Sequence, residues 1–185
     1  MLLTAADSCL WLTRFSSNAT DNLIHLAARR GVATWRVVVT PLIEGPTHLL
    51  AKALADVHLD TSPYNGHTTC VDALWSGVPS VTLPADSFAG RAAASLHIAQ
   101  GLHATVARTV DEYAHLVSSL VTRPAALEHL RASVREARRS GPLFGARQWS
   151  MGFVRALRMA VEVHELRLAP MHLVVRSRAG GGTAA

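Results

Sequence analysis

The sequence predicts an α/β fold: a parallel sheet flanked by helices, with further helices at its carboxyl end. Three observations predict it. Short apolar, β-rich runs recur at "CLWLTRF", "WRVVVTP", "DVHLDT", "PSVTLP" and, more weakly, "HATVA". They lack strict two-residue alternation, as strands covered on both faces do. Between them lie stretches of helical period, "NLIHLAARRG", "THLLAKALA", "TTCVDALWSG" and "FAGRAAASLHIAQG". Strands separated by helices of that length imply crossover units and a parallel sheet. Finally, Gly31, Gly77 and Gly101 each close a helical stretch just before the next strand, where a C-terminal helix cap belongs.

After Val110 the strands stop. Residues 111–139 read as two helices divided near Arg123 and Pro124, and "SGPLFG" then breaks the pattern. A longer amphipathic helix is predicted over 146–168. Its stripe of Trp149, Phe153, Leu157 and Val161 is expected to pack against the rest of the chain. Residues 1–168 are thus one unit. Residues 169–185, ending in "RAGGGTAA", are expected to form a disordered tail. No internal repeat is present.

At 185 residues, 49% hydrophobic and 17% charged, the chain has enough apolar material for one cored domain. Its formal charge is +5, but the arginines cluster in stretches such as "RASVREARRS", spaced as on a solvated helix face. No basic run is interleaved with aromatics, which make up only 5%, so no nucleic-acid partner is expected. Cys9 and Cys70 form no spaced motif and read as reduced thiols. The ten histidines are scattered without ligand spacing, so no metal and no cofactor is expected. No apolar stretch reaches membrane-spanning length, and the start "MLLTAADSCLWL" lacks a positive n-region. The expected compartment is cytoplasmic or nuclear, with no membrane partner.

One stretch carries chemistry. "LDTSPYNGHTTCVDALW" takes a predicted strand through a loop into a helix. In open parallel α/β sheets, ligands bind at the carboxyl ends of the strands. A helix start offers free N–H groups and a positive dipole end, which suits phosphate. Gly66 lets the backbone approach an anion, Thr68 and Thr69 add hydroxyl donors, and His67 can donate to a phosphate or sugar oxygen. The plainer alternative is that Thr68 caps the helix. The stretch lacks the Gly-Lys-Ser/Thr ending of a P-loop and is not G-x-G-x-x-G.

The run "LADVHLDTSPYNGHTTCVDALWSGVPSVTLPADSFAGRAAAS" resembles the nucleotide-sugar-binding lobe of protein O-GlcNAc transferases. These enzymes move N-acetylglucosamine from UDP-GlcNAc to Ser or Thr hydroxyls of proteins. The similarity extends upstream through "LWLTRF" and downstream through "DEYAHLVSSL" to "GPLFGARQWSMGFVRAL", roughly residues 8 to 166. It implies a Rossmann-like lobe, the carboxy-terminal half of a GT-B glycosyltransferase. His67, Thr68 and Thr69 would match the family's His-Thr-Thr, which contacts the diphosphate and the sugar. Asp72 would match its ribose-binding aspartate, His48 the histidine that packs on uracil, and the main chain near Ile43 would meet the uracil edge. Where the family carries a lysine beside the ribose and an arginine after the stacking histidine, this chain has Gly45 and Ala51, with Lys52 adjacent.

The family's amino-terminal lobe, its acceptor-holding tetratricopeptide repeats and its phosphate-neutralising lysine precede the matched region. The resemblance therefore implies a donor-binding half that turns over poorly alone, with no catalytic residue assigned in it. Three alternatives stay open. One is a UDP-sugar-binding module without catalysis. Another is a SPINDLY-like protein O-fucosyltransferase using GDP-fucose, although His67 favours the GlcNAc branch. The last is an interaction or nucleic-acid-binding domain built on the same fold.

Overall fold

The computed structural model describes residues 2–14, 16–45 and 47–175. It has the α/β organisation that the sequence predicts. Strand β1 (Leu10–Thr13) runs parallel to β2 (Val37–Thr40), in register Leu10 with Val37 through Thr13 with Thr40. Helix α1 (Ser17–Arg29) makes the crossover between them, and Ser16 Oγ accepts the Ala19 N–H at its start. The indole N–H of Trp11 donates to Thr40 Oγ1 at 2.8 Å, fixing the two strands side by side. The short helix α2 (Thr47–Lys52) follows β2. A second crossover unit comes next, with β3 (His58–Leu59), helix α3 (Thr68–Trp75) and β4 (Ser80–Val81). Here β3 and β4 are parallel, pairing His58 with Ser80 and Leu59 with Val81.

Helix α4 (Ala92–Ala99) returns the chain to a single parallel bridge between Thr82 and Val106. Three further helices complete the described fold: α5 (Val110–Thr122), α6 (Pro124–Ser140) and α7 (Ala146–Glu165). Pro124 opens α6 at its first position, where a missing N–H costs nothing.

The predicted glycine caps form as expected. In α1, α3 and α4 the glycine takes positive φ (79°, 76° and 73°), and its N–H bonds to the carbonyl three residues back. The next residue, Val32, Val78 or Leu102, bonds five residues back and buries its side chain. These are paired 6→1 and 5→2 bonds that end a helix and aim the chain at the next strand.

Three expectations need correction. The strands are shorter than the apolar runs, and among the described residues they form two parallel pairs rather than one continuous ladder. Proline accounts for part of this. Pro41 follows β2, and Pro79 and Pro84 bracket the β4 run, each lacking the N–H that a ladder needs. "HATVA" is mostly a 3₁₀ turn, His103–Thr105, because Thr105 bonds back to the Leu102 carbonyl through both its N–H and its hydroxyl. The third correction concerns α7. Its stripe does not pack: Trp149, Phe153, Leu157 and Val161 are all at least half exposed, and Trp149 stacks only on Phe153, at 5.1 Å. Residues 169–175 of the expected tail carry no helix or strand, and 176–185 lie outside the described residues.

The core lies where α3, α4 and α6 meet. Cys70, Leu74, Ala93, Leu102 and Val134 are buried together, with Leu96, Leu130 and Phe144 packed against them. Truncating Leu74, which is 1% exposed, should open a cavity there. Leu74→Ala is expected to cost about 2–5 kcal/mol, read as a lower urea midpoint at unchanged slope.

A polar thread runs through this core. His97, with no exposed surface, meets Thr105 Oγ1 through Nδ1 at 2.8 Å and Cys70 Sγ through Nε2 at 3.4 Å. Thr105 already gives its hydroxyl hydrogen to the Leu102 carbonyl, so Nδ1 must be the donor and Nε2 accepts from the thiol. Beside it, His58 Nδ1 and Ser80 Oγ lie 2.8 Å apart. Burial pushes the Cys70 thiol up to about 12, which marks it as a structural rather than a reactive cysteine.

Candidate functional site

The candidate site is built on the loops that leave β2, β3 and β4 at their carboxyl ends. Asp60 ends the β3 run, and its carboxylate organises the loop beyond the strand. Oδ1 accepts the Gly66 N–H at 2.6 Å, and Oδ2 accepts the Thr82 hydroxyl at 2.6 Å. The Tyr113 hydroxyl, from α5, donates to the Asp60 carbonyl at 3.0 Å. Burial raises the Asp60 carboxyl above its ordinary value, and these hydrogen bonds oppose the shift. Within the loop, Thr61 donates to the Tyr64 carbonyl and Asn65 Nδ2 to the Thr61 carbonyl. The Ser62–Pro63 bond is cis. The result is a braced turn rather than a free loop.

That turn delivers His67 as the residue preceding α3, with Thr68 and Thr69 in the first helical turn. Thr68 does not act as a side-chain cap, and the His67 side chain makes no cap bond either. The first bond of the helix runs from the Val71 N–H to the His67 carbonyl. Among the described residues, the amides of Thr68, Thr69 and Cys70 therefore have no acceptor. Three such amides with two adjacent hydroxyls form a site suited to an anion. Gly66 contributes by size: a Cβ there would collide with Thr69 Oγ1 and lie 3.3 Å from Asp60 Oδ1. Its own amide is already engaged by Asp60.

One turn into α3, Asp72 faces α2. His48 Nε2 lies 3.4 Å and Lys52 Nζ 3.7 Å from Asp72 Oδ2, and Lys52 also donates to the Thr69 carbonyl at 2.9 Å. Burial lowers the Lys52 ammonium from its ordinary value, with Asp72 pulling the other way. The fold thus gathers His48, Lys52 and Asp72 beside the α3 start, although His48 and His67 are 19 positions apart in sequence. Ile43 lies half-buried in the turn after β2. Among the described residues no hydrogen bond joins it to the others. Gly45, at φ 69°, turns the chain into α2, and its carbonyl accepts the His48 N–H.

Sequence reasoning missed Asp60 as a loop organiser. The available signal was a lone carboxylate ending an apolar strand, six residues before a glycine. It also passed over Tyr64 and Phe88, two exposed aromatics that flank His67. The arginines of α6 are largely engaged within the molecule. Arg131 meets Asp56, Arg135 meets Glu128, and Arg138 lies 4.3 Å over the Trp75 ring while donating to its carbonyl. Two surface concavities lie elsewhere, one along α7 and one between Leu49, Ala53 and Trp75. Among the described residues no cluster of His, Cys, Asp and Glu could hold a metal, and no helix is long and apolar enough to cross a membrane.

Parallel crossover units with polar loops gathered at the strands' carboxyl ends define a Rossmann-like α/β lobe. The chain belongs to Glycosyl transferase family 41, whose sequence profile matches residues 1–153. It is 34% identical over 176 residues to a probable UDP-N-acetylglucosamine–peptide N-acetylglucosaminyltransferase, SEC, of Arabidopsis thaliana, covering 95% of this chain and 18% of that protein. The corresponding Caenorhabditis elegans transferase is 39% identical over 142 residues, covering 77% and 12%. A barley protein with the same enzyme name, SPINDLY, is 38% identical over 129 residues, covering 69% and 14%. Among solved structures, a lysine-to-methionine mutant of Thermobaculum terrenum O-GlcNAc transferase superposes with a TM-score of 0.71 at 35% identity, over 75% of this chain and 27% of that one. The chain spans less than a fifth of the length of these curated relatives.

Proposed function

We propose that these residues form the donor-binding lobe of a protein O-GlcNAc transferase and hold UDP-GlcNAc. The observation that carries the reading is the open first turn of α3, with three unpaired amides and the Thr68 and Thr69 hydroxyls, set at the end of a parallel strand in a chain of this family. The diphosphate lies against that turn. Asp72 accepts from ribose hydroxyls, His48 packs on the uracil, and the backbone near Ile43 meets its edge. Lys52, next to the position where the family's arginine is replaced by Ala51, supplies a cation within reach of Asp72.

Transfer of the sugar is direct displacement at its anomeric carbon, with charge on the departing diphosphate stabilised by fixed donors. The α3 donors supply part of that stabilisation. Acceptor binding and the rest of the catalytic groups come from outside these residues, so this chain binds donor but turns over poorly alone. Its free thiols, Cys9 and Cys70, fit a cytoplasmic or nuclear setting. A second reading, a SPINDLY-like transferase using GDP-fucose as donor, stands beside the first, since the chain is 38% identical to a SPINDLY protein over 129 residues.

The double variant Thr68→Val, Thr69→Val keeps side-chain volume and removes both hydroxyls. It is expected to weaken UDP binding by about tenfold or more, in line with two lost hydrogen bonds to a charged group. Calorimetric titration checks this. Unchanged affinity would place the diphosphate elsewhere.

A further inference from the structure

Lys52 is the only lysine in the sequence, where every other one of the 18 Lys and Arg residues is arginine. A surface lysine ordinarily lays its stem on the protein and keeps its ammonium in water. Lys52 does not. It closes α2 with a side chain only 17% exposed, its head drawn down between α2 and α3. Two groups hold it there. Nζ donates to the Thr69 carbonyl at 2.9 Å and lies 3.7 Å from Asp72 Oδ2. Desolvation lowers the ammonium from its ordinary value, and Asp72 is the first group that opposes the shift.

The two oxygens of Asp72 differ. Oδ2 faces α2, with His48 Nε2 at 3.4 Å and Lys52 Nζ at 3.7 Å, while Oδ1 has no partner among the described residues. An uncompensated carboxylate one turn into α3 would repel a diphosphate held at the helix start. The ammonium offsets that charge and leaves Oδ1 free to accept from hydroxyls. Lys52 is also badly placed to meet the diphosphate itself. Helix carbonyls point toward the C-terminus and open amides toward the N-terminus, so an ammonium on the Thr69 carbonyl faces away from an anion on the amides. Nor is Lys52 the sole anchor of α2, because the Ser76 hydroxyl, past the other end of α3, donates to the Leu49 carbonyl at 3.1 Å.

We propose that Lys52 is a positioning residue for nucleotide binding: its ammonium ties Asp72 Oδ2 to the Thr69 carbonyl, so that Oδ1 is held as the acceptor for the ribose hydroxyls. The proposal rests on the donor-binding reading and deepens it. Lys52 acts through Asp72 and touches neither the ribose nor the diphosphate.

The test has two arms. Calorimetric titrations compare UDP with 2′,3′-dideoxy-UDP, which lacks both ribose hydroxyls. Lys52→Met keeps the stem and removes the charge. It is expected to weaken UDP about tenfold and the dideoxy ligand less than about twofold, and Lys52→Arg, which keeps the charge, should lose less. Equal weakening of both ligands would make Lys52 a phosphate contact or a plain brace, overturning the proposal while leaving donor binding standing. The second arm needs no ligand and keeps the lysine, so it holds even if Lys52→Met fails to fold. Nitrogen-15 lysine labelling of this single-lysine chain gives one ammonium signal. Asp72→Asn is expected to shift that signal and speed its exchange with water, and an unchanged signal would overturn the proposal. Failure of wild type to bind UDP at all would overturn the donor-binding reading and the role of Lys52 with it.

Discussion

Acidification from neutral pH to about pH 4 is expected to cost this fold several kcal/mol, through two desolvated histidines, the buried His97 and the half-buried His58. Burial lowers both His58 and His97 from the ordinary 6.5 to about 4. Lys52 adds to the effect on the first and His58 to that on the second. The sign depends on where each state takes up protons. The unfolded chain protonates these rings as pH falls through 6.5, while the folded chain keeps them neutral until about 4. Their contribution is therefore complete above that window and drains away within it, by up to about 3 kcal/mol per ring. Asp60 acts in the opposite sense, because its raised carboxyl takes up a proton more readily in the folded state.

The measurement is the urea midpoint as a function of pH. His97→Met lowers stability at all pH values, but the readout is the slope, which should fall to roughly half. A flat profile between neutral pH and pH 5 in wild type would show that the rings are not held neutral by the fold.

Asp60→Ala is expected to remove both stability and the shape of the site. The carboxylate is 5% exposed and serves Gly66 and Thr82 at once, each at 2.6 Å. Alanine leaves a part-buried amide and a buried hydroxyl without acceptors, at about 1–3 kcal/mol each. We expect a total loss of about 3 kcal/mol by urea denaturation. Donor affinity should fall too, because Gly66 and the turn leading to His67 lose their anchor. Asp60→Asn, which keeps one acceptor oxygen, should fall between the two. If the alanine variant matched wild type in both stability and binding, the organising role of Asp60 would be refuted.

The fold was legible where local chemistry and tertiary demand agree. Gly31, Gly77 and Gly101 end helices because only a residue tolerant of positive φ closes that turn readily, and an apolar residue follows each one into the core. The break at Arg123 and Pro124 was equally local. By contrast, the extent of the strands depends on pairing partners, which apolar content alone does not reveal. "HATVA" has β-rich composition, yet Thr105 satisfies itself by bonding back to Leu102. The stripe of α7 has the period of a packed face but no covering partner among the described residues. Periodicity reports which side is apolar, not what meets it.

The site was partly legible. "NGHTT" announced itself as a loop feeding a helix start, and the structure places those residues there, with the amides of Thr68, Thr69 and Cys70 open. The pairing of His48 and Lys52 with Asp72 was not readable from spacing, because it needs α2 to pack on α3. Nor was the orientation of His67, which is set by a carbonyl 22 residues away.

We propose a uridine-selective nucleotide-sugar site at the start of α3. Calorimetric titration of the chain with UDP, GDP and UDP-GlcNAc tests it most directly. Saturable binding of UDP and UDP-GlcNAc is expected, with GDP weaker. Preference for GDP, or binding of none of the three, would contradict it.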